Sequence, residues 1–247
     1  AAIKLKINYS VMKKYVLGIM LFVLVEEVPA QKNGSSMLAS KSQKSILANT
    51  DISKGLKEAL RIGIQNTGKQ LSAVNGFYND ALVKIVLPPE AAIVATNLQK
   101  IGLGYLVDSV VLSMNRAAEQ AAIQITPVFL TAIQKLSFQD AVQILNGSEQ
   151  AATDYLKVST SDSLKVAITP IISTSLQQTK TEEAWNTVFK TYNKIPFTQK
   201  VNPNLTSYVT DQTLKAVFLK LAIEEKAIRT TAAARTTPIL KTVFGTK

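Results

Sequence analysis

Any chemistry in this sequence must come from carboxylates, lysine, tyrosine, serine or threonine, because its 247 residues contain neither cysteine nor histidine. The absence of cysteine excludes disulfides, thiolate metal sites, thiol nucleophiles and lipid attachment to a cysteine. The absence of histidine removes the commonest metal ligand and the usual general base near neutral pH. The candidate functional residues are therefore ionic side chains at positions where an apolar residue is expected.

The clearest such residue is Glu225, near the end of a helix predicted over about 206–229. Apolar residues recur at helical spacing along this segment, and Glu225 falls near the centre of their stripe. Burial of an unpaired charge costs several kcal/mol, so a carboxylate there must be paired or protonated. Arg229, Arg235 or Arg116 could supply the partner. The stripe itself consists of Leu214, Val217, Phe218, Leu221 and Ile228.

A second polar group lies on a long helix predicted over about 105–125. Asp108, Asn115 and Glu119 fall on one side of this helix, opposite its apolar face. Arg116 lies beside them and is spaced to pair with Glu119. This side is either a solvated face or a polar stripe that other helices cover. The apolar face comprises Leu106, Val110, Met114, Ala117, Ala121 and Ile125.

Two interpretations of these ionic groups are open. In the first, they form structural ion pairs that hold the helices together. In the second, Glu119, Glu224 and Glu225 form an acid/base or metal site with shifted pKa values. A four-carboxylate di-metal site in a helical bundle also requires histidine from Glu-x-x-His repeats, which the chain lacks. We therefore predict neither a metal nor a cofactor.

Periodicity and capping signals predict an all-α fold, with one compact domain of roughly nine helices over residues 50–245. Residues 77–87 have a strand-like composition but no pairing partner, so we expect an irregular connection there. We expect a bend at Pro170 and a loop over 194–205. The aromatic cluster of Trp185, Phe189 and Tyr192 is interpreted as core. The predicted helices cover about 50–75, 89–101, 105–125, 138–145, 148–158, 160–179, 182–193, 206–229 and 238–244. The third of them is interrupted near Pro127 and resumes through residue 136.

The front of the chain has the form of a bacterial export signal. Met12-Lys13-Lys14 precedes an apolar run that ends at Val25 and is too short to span a membrane. Val28-Pro29-Ala30 supplies small residues before a cleavage site, so we predict a signal peptide over 12–30 and a mature chain from Gln31. An uncleaved membrane anchor is the alternative.

Two further segments flank this signal. Residues 1–11 precede the candidate initiator Met12 and are interpreted as an upstream extension. Residues 31–49 are polar and rich in serine and lysine, which is typical of a flexible leader. Together these features predict a protein exported to the periplasm or cell envelope of a bacterium, with no transmembrane anchor in its mature form.

The formal net charge of +11 is compatible with an anionic partner such as lipid, glycan or nucleic acid. The lysines are scattered, with no run of five or more, which favours charge that only maintains solubility. Export and the lack of a basic, aromatic-laced stretch argue against nucleic acid. An envelope protein or an anionic lipid is the class of partner we expect.

Ordered sequence blocks extend from the first predicted helix to the last. They are DISKGLKEAL at 51–60, GLGYLVD at 102–108, SMNRAAEQA at 113–121, SFQDAVQILNG at 137–147, YVTD at 208–211, EEKAIR at 224–229 and ARTT at 234–237. With these blocks the chain resembles a bacterial envelope family of unknown activity, catalogued as domain of unknown function 4197. The likeness spans about residues 51–245.

The resemblance implies a signal-bearing, mostly helical protein without an accepted reaction, substrate or cofactor. Some family members carry a lipid-attachment cysteine after the signal, which this chain lacks. The blocks contain most of the polar residues singled out above, which implies a shared polar network. Those residues are Asn115, Arg116, Glu119, Glu224, Glu225, Arg229 and Arg235, and the last block adds Thr236 and Thr237.

The first functional hypothesis is a non-enzymatic periplasmic or cell-envelope module that binds a protein, a lipid or an apolar small molecule between its helices. The alternative is a carboxylate-dependent enzyme that uses Glu119 and Glu225. The chain shows no complete catalytic site, which favours the first hypothesis. Convergence of the two glutamates on an open cleft would favour the enzyme. An arginine closing over them in a dry interior would favour a structural role.

Overall fold

All regular secondary structure in the part of the chain that the structure describes is helical. The computed structural model describes residues 49–194, 196, 200 and 204–245, so the predicted upstream extension, signal peptide and most of the leader lie outside the described residues. Much of the predicted 194–205 loop lies outside them as well. The α-helices are α1 (Asn49–Ser72), α2 (Ala92–Lys100), α3 (Gly104–Ala121), α4 (Ile125–Lys135), α5 (Phe138–Asn146), α6 (Ala151–Gln178), α7 (Thr181–Tyr192), α8 (Leu205–Thr230) and α9 (Pro238–Phe244).

These described residues fall within one compact unit, which confirms the predicted all-α domain. Short 3₁₀ turns precede α2, join α3 to α4, and follow α8. None of the described helices is, by itself, long and apolar enough to cross a membrane. One pair of segments, 104–135 and 138–146, meets the length and composition requirement jointly but is bent by 108°.

The centre of the domain is formed by α6 and α8, which run antiparallel. Thr153 near the start of α6 contacts Glu225 near the end of α8, and Lys165 farther along α6 pairs with Asp211 at 3.0 Å. Helix α1 packs on α8 and also contacts α4, α5 and α9, so the apolar faces of these helices meet in one core. The largest side chains fully removed from solvent include Phe77, Phe129, Leu56, Ile64, Met114 and Ile125.

One predicted helix boundary is wrong. Residues 148–158 and 160–179 were expected to form two helices, but α6 is continuous from Ala151 to Gln178 and runs through Pro170. No glycine or proline interrupts residues 156–164. The hydroxyls of Ser159, Thr160 and Ser161 donate to carbonyls four residues earlier, at 2.5–2.9 Å, so these side chains do not compete for the helical N–H groups.

The helix interruption predicted near Pro127 is present, but it lies a few residues earlier in the chain. Helix α3 ends at Ala121, a 3₁₀ turn covers 122–124, and α4 begins at Ile125. Pro127 therefore lies in the first turn of α4, where a missing backbone N–H has no intrahelical partner to lose. The apolar face predicted for α3 is buried from Met114 onward, whereas Leu106 at its start is partly exposed.

Residues 73–88 form turns followed by an extended segment, which confirms the predicted irregular connection. Asn75 has a left-handed φ of 67°, and a Cβ at Gly76 would lie 2.1 Å from the Gln70 carbonyl oxygen. The Asn-Gly pair therefore forms the turn that follows α1, which ends at Ser72 and not at the predicted residue 75. Pro88 and Pro89 then lead into α2, which packs mainly on α3 and has no buried residue of its own.

Candidate functional site

The Glu119 carboxylate is buried against the connection that follows α1, with 4% of the residue exposed. Its Oε1 accepts hydrogen bonds from the backbone N–H groups of Phe77 at 3.2 Å and Tyr78 at 3.3 Å. Its Oε2 lies 2.5 Å from Nη1 of Arg116, whose Nη2 donates to Asn75 Oδ1 at 2.8 Å. The ion pair on α3 therefore holds the left-handed turn at Asn75 in place.

Asn115 lies one turn before Glu119 on α3 and is fully buried. The Ile85 N–H donates to Asn115 Oδ1 at 2.9 Å, and Asn115 Nδ2 donates to the Ile85 carbonyl at 2.7 Å. Nδ2 also donates to the Val111 carbonyl at 2.7 Å. The side-chain amide thus forms with the Ile85 backbone the pair of hydrogen bonds that a neighbouring strand would form. This accounts for a strand-like segment that is stable without a strand partner.

The Glu225 carboxylate is buried at the start of α6, with 7% of the residue exposed. It accepts hydrogen bonds from the backbone N–H groups of Ala152 at 3.0 Å and Thr153 at 2.8 Å, and from the Thr153 hydroxyl at 2.8 Å. First-turn N–H groups have no intrahelical acceptor, and Gln150 before the helix provides no side-chain cap. Glu225 therefore caps α6 from another helix and places negative charge at the positive end of its dipole.

Arg229 is the partner of Glu225 and extends the polar contacts to α5. Its Nε and Nη2 each lie 2.9 Å from Glu225 Oε1. Nη2 also donates to the Ile144 carbonyl at 2.9 Å, and Nη1 donates to the Leu145 carbonyl at 3.3 Å. These carbonyls lie in the last turn of α5, where acceptors lack i+4 N–H partners within the helix and a cation is favoured. We refer to Glu225, Arg229 and the two helix ends they bind as the Glu225 junction.

Arg235 and Thr237 terminate helices rather than line a cleft. Arg235 donates from Nε to the Ile228 carbonyl at 2.9 Å and from Nη2 to the Arg229 carbonyl at 2.7 Å, which satisfies the end of α8. Thr237 is the N-cap of α9, because its hydroxyl accepts a hydrogen bond from the Leu240 N–H at 3.4 Å.

Three of the predicted residues lie apart from both buried carboxylates. Glu224 is half-buried and accepts hydrogen bonds from Asn66 Nδ2 at 3.0 Å and Gln70 Nε2 at 3.4 Å on α1. Asp108 and Thr236 are exposed. Within the described ranges, no hydrogen bond or ion pair is recorded for either of these two side chains. The structure therefore divides eight of the ten predicted residues among separate structural contacts and leaves Asp108 and Thr236 at the surface.

The two buried glutamates are bound to different segments and have no hydrogen-bond partner in common. Each carboxylate accepts hydrogen bonds from two backbone N–H groups and an arginine, which is the arrangement expected for a structural ion pair. Glu225 also borders a cavity of about 20 Å³, which is enough space for one water molecule. Among the residues that the structure describes, no group of three or more acidic side chains could hold a metal ion.

Three displaced pKa values have equally structural causes. The hydrogen bond from Lys220 lowers the pKa of Asp80, with which it forms an ion pair. Hydrogen bonds from Ser137 lower the pKa of Asp140, because the two residues form the capping box of α5. Burial raises the pKa of the Tyr208 phenol. These groups hold helices and connections together.

An apolar groove that the sequence pattern did not indicate lies between α2, α3 and α7. Its volume is about 380 Å³, within the range of small-molecule sites. Trp185 and Phe189 form one wall, with ring centroids 4.2 Å apart. Thr179, Lys180 and Thr181 form a polar end at the corner between α6 and α7. The facing wall includes Leu87, Val94, Leu98, Leu106, Val107 and Val110.

One sequence signal could have indicated this groove. Residues 92–101 carry apolar side chains on two sides of one short helix, with Val94 and Leu98 on one side and Ile93 on the other. A helix at the edge of a domain can bury only one apolar face against its neighbour. The cluster of Trp185 and Phe189, interpreted from the sequence as core, is buried and also lines the groove.

Comparisons with known proteins give a family and no activity. No curated protein matches the chain, and no solved structure matches it. The family model described as "Protein of unknown function (DUF4197)" matches residues 46–245, a range that contains all nine described helices, both buried carboxylates and the groove. The chain therefore belongs to this family of unknown function, as the ordered sequence blocks predicted.

Proposed function

We propose that this chain is a non-enzymatic binding module that holds a single-chain amphiphile in its apolar groove. The hydrocarbon chain of the ligand lies between α2, α3 and α7, and an anionic head group meets the Lys180 ammonium. The observation that carries this proposal is the groove of about 380 Å³, which is apolar along its walls and polar at one end. Removal of apolar surface from water supplies the main driving force, at about 25 cal/mol per Å².

The polar end of the groove selects the class of head group. Lys180 is the one charged side chain among the residues that line the groove. In the part of the chain described here, no carboxylate lies within ion-pairing distance of its ammonium. Thr179 and Thr181 flank Lys180 in the sequence, and their hydroxyl oxygens lie 2.8 Å apart. The Thr179 hydroxyl also donates to the Leu176 carbonyl at 3.1 Å, so these hydroxyls hold the corner between α6 and α7. The Lys180 ammonium therefore complements the carboxylate or phosphate of a ligand.

The single tryptophan of the chain makes this proposal testable without a label. Trp185 lines the groove, so its fluorescence responds locally to an occupant. We expect titration of the delipidated protein with hexadecanoate, below the concentration at which it forms micelles, to change the Trp185 emission saturably. Hexadecanol lacks the anionic head group and should bind more weakly. An emission spectrum that hexadecanoate leaves unchanged would contradict the proposal.

A variant that fills the groove provides the matched comparison. Ala184 lines the groove and is exposed on α7, so Ala184→Phe should block the site without disturbing the core. We expect at least tenfold weaker binding of hexadecanoate. Val158→Phe on α6 places the same side chain at an exposed position that does not line the groove, and it should bind normally. Equal binding by the two variants would contradict the assignment of the site.

We also propose that the module acts outside the cytoplasm. This rests on the sequence of residues 12–30, with its basic start, short apolar run and small residues before the cleavage site. Fractionation of the native host followed by N-terminal sequencing should give a periplasmic or envelope form that begins at Gln31. Intact, unprocessed protein in the cytoplasm would contradict export. It would not affect the proposed ligand site, which the hexadecanoate titration tests separately.

A further inference from the structure

Exposed apolar side chains lie along the side of α2 away from the groove and at the turn from α2 to α3. Ile93, Ile101 and Tyr105 are 62%, 69% and 64% exposed. Lys100 is also exposed and immediately precedes Ile101. We call these four residues the tip surface. Large apolar side chains grouped at such exposures commonly mark a surface that contacts a partner or a membrane.

Helix geometry separates the tip surface from the groove. Ile93 and Lys100 are seven residues apart on α2, which places them within about 20° of each other around the helix axis. Val94 and Leu98 point toward the groove, which they line. The chain then turns through Gly102, whose φ of 80° favours glycine. Ile101 lies just before this turn and Tyr105 lies just after it, at the start of α3.

We propose that the tip surface docks this domain on a lipid bilayer with anionic head groups. Residues 91–107 contain no aspartate or glutamate and include Lys100, so no carboxylate in this stretch opposes the approach to an anionic surface. The chain from Gln31 onward has a formal net charge of +9, which adds a long-range attraction. Tyrosine is favoured at the membrane interface, where its ring contacts acyl chains and its hydroxyl remains hydrated.

The size of the patch favours a bilayer over a second copy of the chain. Large side chains bury roughly 150–250 Å² each, so three of them at about two-thirds exposure offer on the order of 300–500 Å². A stable protein–protein interface buries about 800 Å² on each partner. A bilayer requires no matching surface, and a few inserted apolar side chains near a basic residue are sufficient for reversible binding.

The absence of cysteine allows a direct test of which surface meets the membrane. Ile101→Cys and Val158→Cys each introduce a single thiol, the second at an α6 position that is 88% exposed. Each full-length protein is labelled with nitrobenzoxadiazole and mixed with vesicles of phosphatidylglycerol and phosphatidylcholine. We expect a blue shift, and quenching by a lipid-borne spin label, at position 101 and not at position 158. Vesicles of phosphatidylcholine alone should give a much smaller shift.

Charge variants test the electrostatic part of the proposal. In an Ile101→Cys background, Lys100→Gln should raise the lipid concentration for half-maximal binding about fivefold, since one basic residue near an anionic surface contributes about that factor. Lys157→Gln on α6 is the matched control and should have no effect. Asp108→Asn removes the acidic residue that ends the carboxylate-free stretch, and it should strengthen binding.

Three results would overturn the proposal. A label at position 101 that stays in water while the protein sediments with vesicles would mean that another segment binds the lipid. Equal shifts at 101 and 158 would mean nonspecific adsorption. A shift at 101 that requires no vesicles and grows with protein concentration would identify a second copy of the chain as the partner. The hexadecanoate titration of Trp185 uses different residues and no bilayer, so the groove and the tip surface can fail independently.

Discussion

The two ends of α6 differ in what surrounds them. At its start, the Glu225 junction removes a carboxylate and a guanidinium from water and gives both of them hydrogen-bond partners at helix ends. Near its other end, Thr179, Lys180 and Thr181 border the apolar groove. The first region is dense and ionic, whereas the second is open and mostly apolar.

This difference shows that unusual residues and an accessible site need not coincide. Buried glutamates attract attention in a sequence because they require compensation, and here backbone N–H groups and arginines provide that compensation. The walls of the groove consist mostly of valine, leucine, alanine and aromatic residues, which are common in any helical core. Measurements of stability and of groove occupancy should therefore respond to different substitutions.

The largest expected effect is at the Glu225 junction. Glu225→Gln keeps an acceptor for the start of α6 but leaves Arg229 buried without a counter-charge, so we expect a loss of about 3 kcal/mol or more. That corresponds to roughly 6–12 °C in Tm for a protein of this size. Glu224→Gln, one residue earlier and half-buried, is the control and should change stability by about 0.5 kcal/mol or less.

A double variant sharpens this prediction. Glu225→Gln combined with Arg229→Met removes both charges, so it should recover part of the stability that the single variant loses. Thermal unfolding measures the stability, and the Trp185 titration with hexadecanoate should be unchanged in folded protein. A fully stable Glu225→Gln protein would contradict the structural role and reopen the hypothesis of a functional carboxylate.

The next effect is expected at Asn115. Asn115→Ala leaves the N–H and carbonyl of Ile85 without their partners in the interior, which should cost about 2 kcal/mol. Asn97→Ala on the exposed face of α2 is the matched control, expected within about 0.5 kcal/mol of wild type. Urea denaturation compares the two variants. Equal midpoints would mean that the 73–88 connection does not depend on this amide.

A smaller effect is expected at the N-terminus of α5. Ser137→Ala removes one half of the capping box and should cost about 1 kcal/mol, measured by urea denaturation at neutral pH. Ser163→Ala, at an exposed position inside α6, removes a hydroxyl that caps no helix, so it should not destabilise the protein. A Ser163 variant less stable than the Ser137 variant would contradict the role of the cap.

The same capping box predicts a dependence on pH. Because hydrogen bonds from Ser137 lower the pKa of Asp140 below 3.8 in the folded protein, the ionised carboxylate binds its cap more strongly than in the unfolded chain. Its contribution is complete above pH 3.8 and is lost as the pH falls through the lowered value. Asp140→Asn should therefore be less stable than wild type at neutral pH, and this difference should shrink in acid.

Substitutions in the groove should have the smallest effect on stability and the largest effect on the binding of hexadecanoate. Leu98→Ser lies on α2, which has no buried residue, so stability should change by no more than about 1 kcal/mol. Binding of hexadecanoate should weaken about tenfold, because apolar contact area is lost. Leu219→Ser, partly exposed on α8 and away from the groove, is the control for binding. A Leu98 variant that binds hexadecanoate normally would contradict the assignment of the groove as the ligand site, and with it the difference in role between the two ends of α6.

Much of the fold could be predicted from local sequence. The capping box at Ser137 and Asp140 and the start of α9 at Pro238 depend on residues within one helical turn, and the structure has both. The Asn-Gly pair marks a left-handed turn, although α1 itself ends three residues before it. The break expected near residue 159 was wrong, because serine and threonine hydroxyls bond to carbonyls of their own helix. Whether such hydroxyls end a helix or remain inside it depends on packing against neighbouring helices.

By itself, the sequence determined the all-α class, the position of Glu225 within an apolar stripe, and the need to compensate its charge. It left open whether Glu119 faces solvent or other helices. Only the tertiary structure decided which partners compensate the charge of Glu225, because Ala152 and Thr153 are more than seventy residues from Glu225 and meet it only when α6 and α8 pack antiparallel. The groove has the same origin. Its two walls come from residues 87–110 and 179–189, and helical periodicity within either segment does not reveal the space between them.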